Sequence, residues 1–314
     1  MAFLLVASGL VLLLLAGDFL VKGAVALSLR LGVPTLIVSV TIVGFGTSAP
    51  EMLIAVQSAL EGAPGIALGN VVGSNTANVL LVLGFPALIY TLDTGASDTK
   101  RIYLMMIGVS VIFIALAFMG PLHLWHAAVL LGLLAAMLWD NLRSAMGARA
   151  ISNAALAEIE GIEPDMPGWR MAAYIMAGVV GLPLGAQLMI EGSLIIAARF
   201  GLGEEVIGLT LVAVGTSLPE LATTTVAALR READVALGNV IGSNMFNLLA
   251  IMGVTSLFGP LPIAKELLHF DLWLMLGASL LLGVFVFTRM NMGRLWGFGF
   301  LALYAAYMVS LLGR

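Results

Sequence analysis

The sequence predicts an all-α membrane protein of ten transmembrane helices, arranged as two inverted five-helix repeats. Three observations lead to this fold class. The composition is too apolar for a water-soluble chain, apolar runs recur along the whole length, and the second half of the sequence repeats part of the first. The composition indicates a membrane environment, the apolar runs give the number of spans, and the repeat gives the symmetry that relates the two halves.

The composition places the chain in a lipid bilayer. Its 314 residues are 61% hydrophobic and 10% charged, whereas a soluble domain carries about 25% charged residues. Several apolar runs reach the length of about 20 residues that a helix needs to cross the hydrocarbon core. The net charge of −4 and the lack of a basic run give no indication of nucleic acid. The chain has no cysteine, which excludes disulfides, thiolate catalysis and cysteine-ligated metals.

The apolar segments define the spans. We predict spans at 2–29, 34–60, 65–90, 102–119, 122–141, 170–199, 204–229, 233–258, 269–288 and 294–312. The first segment lacks the basic region of a signal peptide, so we expect it to remain as the first span. Within it, Asp18 and Lys22 lie four residues apart, and a local ion pair is favoured over a role in gating.

These spans divide the chain into two five-helix repeats, 1–142 and 170–314, in which the second and third spans, 34–90 and 204–258, carry the repeated motifs. The intervening segment, 143–169, is polar and acidic and is interpreted as a solvated linker. Ten Lys and Arg residues lie in loops after odd-numbered spans, against three on the other side. Because basic residues are enriched in cytoplasmic loops, we predict a cytoplasmic linker and extracellular N- and C-termini.

The internal repeat has a fixed register. Adding 169 to the number of Glu51 gives Glu220, and the match runs without a gap from Gly46–Gly84 to Gly215–Gly253. Five spans per repeat is an odd number, so the second copy enters the membrane from the opposite side. Inverted repeats occur in secondary transporters, whose sites lie near the bilayer midplane where interrupted helices meet.

Each half places a glutamate inside an apolar span, within GTSAPE at Gly46–Glu51 and GTSLPE at Gly215–Glu220. Intramembrane carboxylates are costly and are functional candidates. The preceding proline removes a backbone hydrogen bond and frees carbonyl oxygens one turn earlier. The same motifs carry four hydroxyls, on Thr47, Ser48, Thr216 and Ser217. All these groups are hard oxygen donors, which suit Na⁺ or Ca²⁺ and argue against copper or zinc.

A second motif follows each glutamate, GNVVGSNTAN in the first half and GNVIGSNMFN in the second. It places Ser74 and Asn78, and likewise Ser243 and Asn247, four residues apart on one helix face. Its glycines permit close helix approach in a membrane. A stripe of amides and hydroxyls facing the glutamates would complete an oxygen-lined cavity.

Each feature alone has a purely structural explanation: a proline kink, glycine packing, or hydrogen bonds between helices. Both motifs together, twice in one register, favour a binding site instead. For Asn70 and Asn239, which lie four residues before the serines, helix pinning and cation ligation both stay open.

Two copies of GTSxPE, each followed by GNxxGSNxxN, resemble the α-repeats of the sodium/calcium exchanger family, within the cation/calcium antiporters. The resemblance covers the ten-span layout, with the motifs in spans two, three, seven and eight. It implies that Glu51 and Glu220 are central carboxylates shared by Ca²⁺ and Na⁺. It also implies side-chain or backbone oxygen ligands from Thr47, Ser48, Thr216, Ser217, Ser74, Ser243, Asn78, Asn247, Gly44 and Ala213.

The chain departs from parts of the family's pattern. Some members, notably the potassium-dependent ones, have Asp at the position of Asn247, which argues against potassium coupling here. Proton-coupled relatives tend to carry GNxxE, whereas GNVVG and GNVIG lack the acid. The large regulatory loop of animal exchangers is missing, so the chain resembles the prokaryotic type.

We therefore expect an ion transporter, not an enzyme: an antiporter that exchanges Na⁺ for Ca²⁺ by alternating access in a prokaryotic plasma membrane. The expected partners are these cations and the bilayer, with no cofactor, nucleic acid or obligate protein partner. An H⁺-coupled antiporter of Ca²⁺ or another divalent cation stays open, because carboxylates also bind protons. An intramembrane hydrolase is disfavoured, because the three histidines lie outside the repeat. A passive channel would differ by needing no counter-ion.

Overall fold

The computed structural model is almost entirely helical and describes residues 2–92, 94, 99–148, 166–199 and 213–312. The elements of the first half are α1 (Ala2–Leu31), α2 (Thr35–Val38), π1 (Ser39–Val43), α3 (Gly44–Thr47), α4 (Ala49–Leu60), α5 (Pro64–Ala77), π2 (Asn78–Val82), α6 (Gly84–Ile89), α7 (Lys100–Phe118) and α8 (Leu124–Ala148). Those of the second half are α9 (Gly168–Arg199), α10 (Ala213–Thr216), α11 (Leu218–Leu229), α12 (Ala233–Phe246), π3 (Asn247–Ile251), α13 (Met252–Thr255), π4 (Leu267–Asp271), α14 (Leu272–Thr288) and α15 (Arg294–Leu312).

The predicted all-α membrane class is confirmed. Among the described residues, eight helical runs are long and apolar enough to cross a bilayer. A bent pair, Thr35–Thr47 with Ala49–Leu60, makes a ninth. The number of ten spans stays a prediction, because the first part of the predicted seventh span, 204–212, lies outside the described residues. The acidic cluster of the linker also lies outside them, while α8 continues to Ala148, into the segment predicted as linker.

The two helices that carry the second motif form the centre of the molecule. Every residue of 235–253 is buried. In the most apolar 18-residue stretch of each helix, 72% of the residues are buried in Pro64–Ile89 but only 28% in Leu124–Ser144. The motif helices therefore contact protein on most sides, and α8 lies at the periphery. A polar stripe is tolerated on central helices because it does not meet lipid.

The longest helices, α1 and α9, pack against each other as an antiparallel pair. They contain 30 and 32 residues and so span about 45–48 Å, more than the roughly 30 Å hydrocarbon core. A Cβ on Gly9 would lie 2.7 Å from the oxygen of Gly185, and a Cβ on Gly185 3.0 Å from the oxygen of Gly9. Glycine at both positions therefore lets the two backbones meet directly.

Asp18, in the second half of α1, ties that helix to the end of α11. The carboxylate lies 2.7 Å from Lys22 Nζ, so the predicted local pair is confirmed. It also accepts a hydrogen bond at 2.6 Å from Arg230 Nε. The Arg230 contact was not expected from the sequence, since the two residues are 212 positions apart. All three side chains are only 26–29% exposed, so water screens this network weakly.

The first prediction concerns this network. Asp18→Asn removes the carboxylate that Lys22 and Arg230 share in a half-buried position. We expect a loss of about 1–3 kcal/mol, between the values for exposed and buried pairs, seen as a fall of several degrees in the Tm of the purified protein.

The matched control is Asp140→Asn, which breaks a pair with Arg101 whose side chains are 45% and 46% exposed. That change should lower stability by less than about 1 kcal/mol. Equal falls in Tm for the two variants would contradict the assignment of a stabilising role to Asp18.

Candidate cation site

Each of the two glutamates lies where a helix stops and restarts. α3 ends and α4 begins on either side of Ser48, with a bend of 45°. α10 and α11 flank Ser217 in the same way, and the backbone angles of the two serines agree closely: φ −83° and ψ 7° against φ −86° and ψ 4°. The interruption expected from the sequence is therefore present in both halves.

The proline acts by opening a new helix. Pro50 and Pro219 lie in the first turn of α4 and α11, where a missing N–H loses no helical partner. Glu51 and Glu220 follow directly in the same first turn. The N-terminal end of a helix carries a partial positive charge, which favours a carboxylate there. The GTSxPE motif thus places an acid at a helix start inside the membrane.

The predicted site residues are buried together with the acids. Both glutamates are 0% exposed. All the predicted ligands with a hydroxyl or amide side chain are also buried: Thr47, Ser48, Thr216, Ser217, Ser74, Ser243, Asn78 and Asn247. Gly44 is buried in α3, and Ala213 is the first residue of α10. In the described part of the chain, neither glutamate forms an ion pair with a basic side chain.

Hydroxyls of the first broken helix contact groups of the second half. Ser48 Oγ donates to Glu220 Oε1 at 3.3 Å. Thr47 Oγ1 and Ser243 Oγ are 3.1 Å apart, and Ser243 Oγ donates to the backbone oxygen of Gly44 at 3.3 Å. The two carboxylates are also near enough to interact electrostatically. The structure therefore brings residues of both motifs and both halves into one place.

The predicted site residues carry an excess of oxygen acceptors. Seven buried oxygens of six predicted site residues have no hydrogen-bond partner among the described residues: Glu51 Oε1 and Oε2, Glu220 Oε2, Ser74 Oγ, Asn78 Oδ1, Ser217 Oγ and Asn247 Oδ1. Buried polar atoms are normally paired, and exceptions call for an explanation. Within the described residues no three His, Cys, Asp or Glu side chains cluster. A cation here would therefore need hydroxyl, amide and backbone oxygens beside the two carboxylates.

Glycines bring the first broken span close to α12. A Cβ on Gly44 would lie 2.9 Å from the nitrogen of Ser243, and one on Gly242 would lie 2.5 Å from the oxygen of Val40. These are distances that real Cβ atoms do not adopt. Larger residues would separate Thr47 from Ser243.

Two features of the second motif were not predicted from the sequence. Asn78 and Asn247 are the first residues of π2 and π3. The helices of the third and eighth predicted spans therefore widen at the predicted site. Short π-helical segments within α-helices often occur at functional sites. The sequence pattern also singled out Asn78 and Asn247 but not the asparagines three residues before them, Asn75 and Asn244.

These four asparagines form one hydrogen-bonded cluster between the two halves. Asn75 Nδ2 donates to the backbone oxygen of Asn244 at 3.2 Å, and Asn244 Nδ2 donates to that of Asn75 at 3.3 Å. Asn78 Nδ2 donates to Asn244 Oδ1 at 3.0 Å, and Asn247 Nδ2 to Asn75 Oδ1 at 2.9 Å. Equivalent residues thus exchange the same bonds, as a twofold relation requires. The sequence feature that could have drawn attention to Asn75 and Asn244 is the GSN triplet, which is identical in both halves.

For Asn70 and Asn239 the structure shows helix pinning. Asn239 Nδ2 donates to the backbone oxygen of Glu220 at 3.3 Å and to Thr224 Oγ1 at 3.0 Å. Asn239 Oδ1 accepts from Thr47 Oγ1 at 3.1 Å. Asn70 Nδ2 reaches the backbone oxygen of Glu51 at 3.5 Å. Both amides therefore hold the backbone of the glutamate in their own half.

Comparisons with known proteins identify the family of the chain. Residues 1–141 and 171–313 match the family model "Sodium/calcium exchanger protein". The chain is 35% identical over 283 residues to the putative antiporter CaxA of Alkalimonas amylolytica, covering 90% of this chain and 88% of the relative. It is 32% identical to the sodium/calcium exchanger MaX1 of Methanosarcina acetivorans, covering 98% of both chains.

Solved structures show the same fold. A structure of the sodium-calcium exchanger NCX_Mj soaked with 10 mM Na⁺ and 10 mM Sr²⁺ superposes with a TM-score of 0.83, at 31% identity, over 99% of this chain and 98% of that one. Fold, sequence and family model therefore agree over nearly the full length. The chain belongs to the sodium/calcium exchanger family of membrane transporters.

Proposed function

We propose that this protein is a secondary active antiporter that exchanges Na⁺ for Ca²⁺ by alternating access. The observation that carries the proposal is the pair of fully buried carboxylates, together with further buried oxygens of the same two motifs that lack hydrogen-bond partners among the described residues. Ca²⁺ takes 6–8 oxygen ligands in flexible geometry, and this donor set contains only oxygens. The relatives named as sodium/calcium exchangers support the same pair of ions.

The charge of the site supports coupled exchange. Two facing carboxylates in a low-dielectric cavity repel each other and have lost their hydration. A bound cation removes both penalties. An empty carrier should therefore reorient slowly and a loaded one more easily, and this difference couples the movement of one ion to that of the other.

The proposed ligands are the residues predicted from the sequence. The carboxylates are those of Glu51 and Glu220, and the remaining oxygens come from Thr47, Ser48, Ser74, Asn78, Thr216, Ser217, Ser243 and Asn247, with backbone oxygens of Gly44 and Ala213. We further propose that 1–142 and 170–314 are the two inverted repeats. Both termini would then be extracellular and the 143–169 linker cytoplasmic.

H⁺-coupled exchange of Ca²⁺ or another divalent cation is the second candidate. It is favoured by Glu51, whose two carboxylate oxygens are buried and have no donor among the described residues. A proton would remove the charge of this carboxylate, which a bound cation would balance instead. The gradient that drives transport distinguishes the two candidates.

The second prediction is that Ca²⁺ stabilises the purified protein. A ligand that binds only the folded state adds about 2.7 kcal/mol at one hundred times its Kd. We expect CaCl₂ to raise the Tm by several degrees and EGTA to reverse the rise, with choline chloride at equal ionic strength as the salt control. A double Glu51→Gln, Glu220→Gln variant should lose the shift; a shift that survives in it would place Ca²⁺ elsewhere.

The third prediction concerns transport by single variants. In proteoliposomes loaded with Na⁺, wild-type protein should take up ⁴⁵Ca²⁺, and Glu51→Gln or Glu220→Gln should reduce uptake to the level of empty liposomes. The control is Glu61→Gln, because Glu61 is an exposed acid whose carboxylate bonds Gln57 on the same helix. Full activity in both buried-acid variants would refute the site.

The fourth prediction separates the two coupling ions. An outward Na⁺ gradient at equal pH should drive ⁴⁵Ca²⁺ uptake, and an outward H⁺ gradient without Na⁺ should not. The reverse result would identify an H⁺-coupled antiporter. Uptake that needs neither ion inside the vesicle would identify a passive channel.

A further inference from the structure

We propose that Asn75 and Asn244 are positioning residues that fix the orientation of the Asn78 and Asn247 amides, so that each presents its oxygen, not its NH₂ group, to the transported cation. The inference rests on the proposed function of the site. It concerns two residues that the sequence pattern did not single out and whose side-chain oxygens are both already occupied by hydrogen bonds.

The argument starts from two backbone carbonyls. A carbonyl oxygen can only accept, so the amide group that meets it must be an NH₂. The backbone oxygen of Asn244 faces Asn75 Nδ2 at 3.2 Å, and that of Asn75 faces Asn244 Nδ2 at 3.3 Å. Both side chains are 1% exposed, so water does not offer an alternative partner. The orientation of these two amides is therefore set by the main chain.

The same constraint passes to the next pair of amides. With their NH₂ groups on carbonyls, Asn75 and Asn244 present Oδ1 to their remaining neighbours. These oxygens can only accept. Asn75 Oδ1 accepts a hydrogen bond from Asn247 Nδ2 at 2.9 Å, and Asn244 Oδ1 accepts one from Asn78 Nδ2 at 3.0 Å. A flipped Asn78 or Asn247 would place two oxygens against each other.

The remaining atoms are the two that matter for a cation. Asn78 Oδ1 and Asn247 Oδ1 are buried and have no donor within the described residues. They belong to the same set of unpartnered oxygens as the carboxylates. An amide oxygen attracts a cation and an amide NH₂ repels it, so a flip would change the sign of the local dipole.

A positioning role predicts a specific kinetic change. Asn75→Ala frees Asn247, and Asn244→Ala frees Asn78, to turn an NH₂ group toward the ion. In Na⁺-loaded proteoliposomes we expect each variant to raise the KM for ⁴⁵Ca²⁺ about tenfold or more while Vmax stays within about twofold, the pattern of lost binding. The control is Thr76→Val: Thr76 is adjacent and fully buried, but its hydroxyl bonds Val72 in its own helix.

A second comparison isolates orientation from other effects of the cavity. A carboxylate presents oxygen on both sides, so it has no wrong orientation. In an Asn247→Asp background the carboxylate also meets Asn75 Oδ1, which accepts from Asn247 in the wild type. Adding Asn75→Ala should therefore leave KM unchanged or lower it there, against a roughly tenfold rise in the wild-type background. An equal rise in both backgrounds, or a loss of Vmax with unchanged KM, would overturn the proposal.

The controls keep the outcomes separate. If Asn75→Ala gives no monodisperse protein, Asn75→Ser and the symmetry-related Asn244→Ala carry the same test, because serine is too short to make both bonds. Absence of Na⁺-dependent uptake in the wild-type protein would refute the proposed function itself. Normal wild-type exchange with unchanged KM in every asparagine variant would refute only the positioning role.

Discussion

The burial of two carboxylates at helix starts is the constraint on which the rest of the structure depends. Glu51 and Glu220 are fully buried, and in the described part of the chain no basic side chain pairs with either. A buried charge without compensation is strongly destabilising. The helix dipoles at Pro50 and Pro219 and the nearby hydroxyls supply part of the compensation. What they leave unsatisfied is a set of oxygens suited to a hard cation.

The repeat explains how one short motif builds both sides of the site. Each half brings a broken helix and a glycine-rich helix. The two halves are joined by side-chain hydrogen bonds and also by the backbone pairs Leu92–Met292 and Leu122–Leu261. The bonds exchanged by Asn75 and Asn244 lie at this junction, because each residue contacts its own equivalent. The close approach at Gly242 and Val40 shows that backbone contact supports the same junction.

Much of the candidate site could be predicted from the sequence, and its remaining features depend on contacts between distant residues. The glutamates, hydroxyls and interruptions carry residue-type signals that repeat at one spacing, so a single helix is enough to recognise them. The identical GSN triplets mark Asn75 as a repeated residue, but they do not show its role, because that role depends on a carbonyl 169 residues away. The contact between Asp18 and Arg230 is similarly remote. The π-helical turn at Asn78 requires only an altered backbone path, which residue types do not record.

The presence of amides at Asn78 and Asn247 leaves the glutamates as the only acidic side chains among the described residues of this cluster. With both ionised, the empty cluster carries two negative charges, and one Ca²⁺ brings it to neutrality. Two Na⁺ do the same, and each additional Na⁺ adds a positive charge. A transmembrane voltage acts on a moving charge with about 2.3 kcal/mol per 100 mV. Under the proposed exchange, the electrical response of the carrier would therefore be set by how many sodium ions this pair of carboxylates admits.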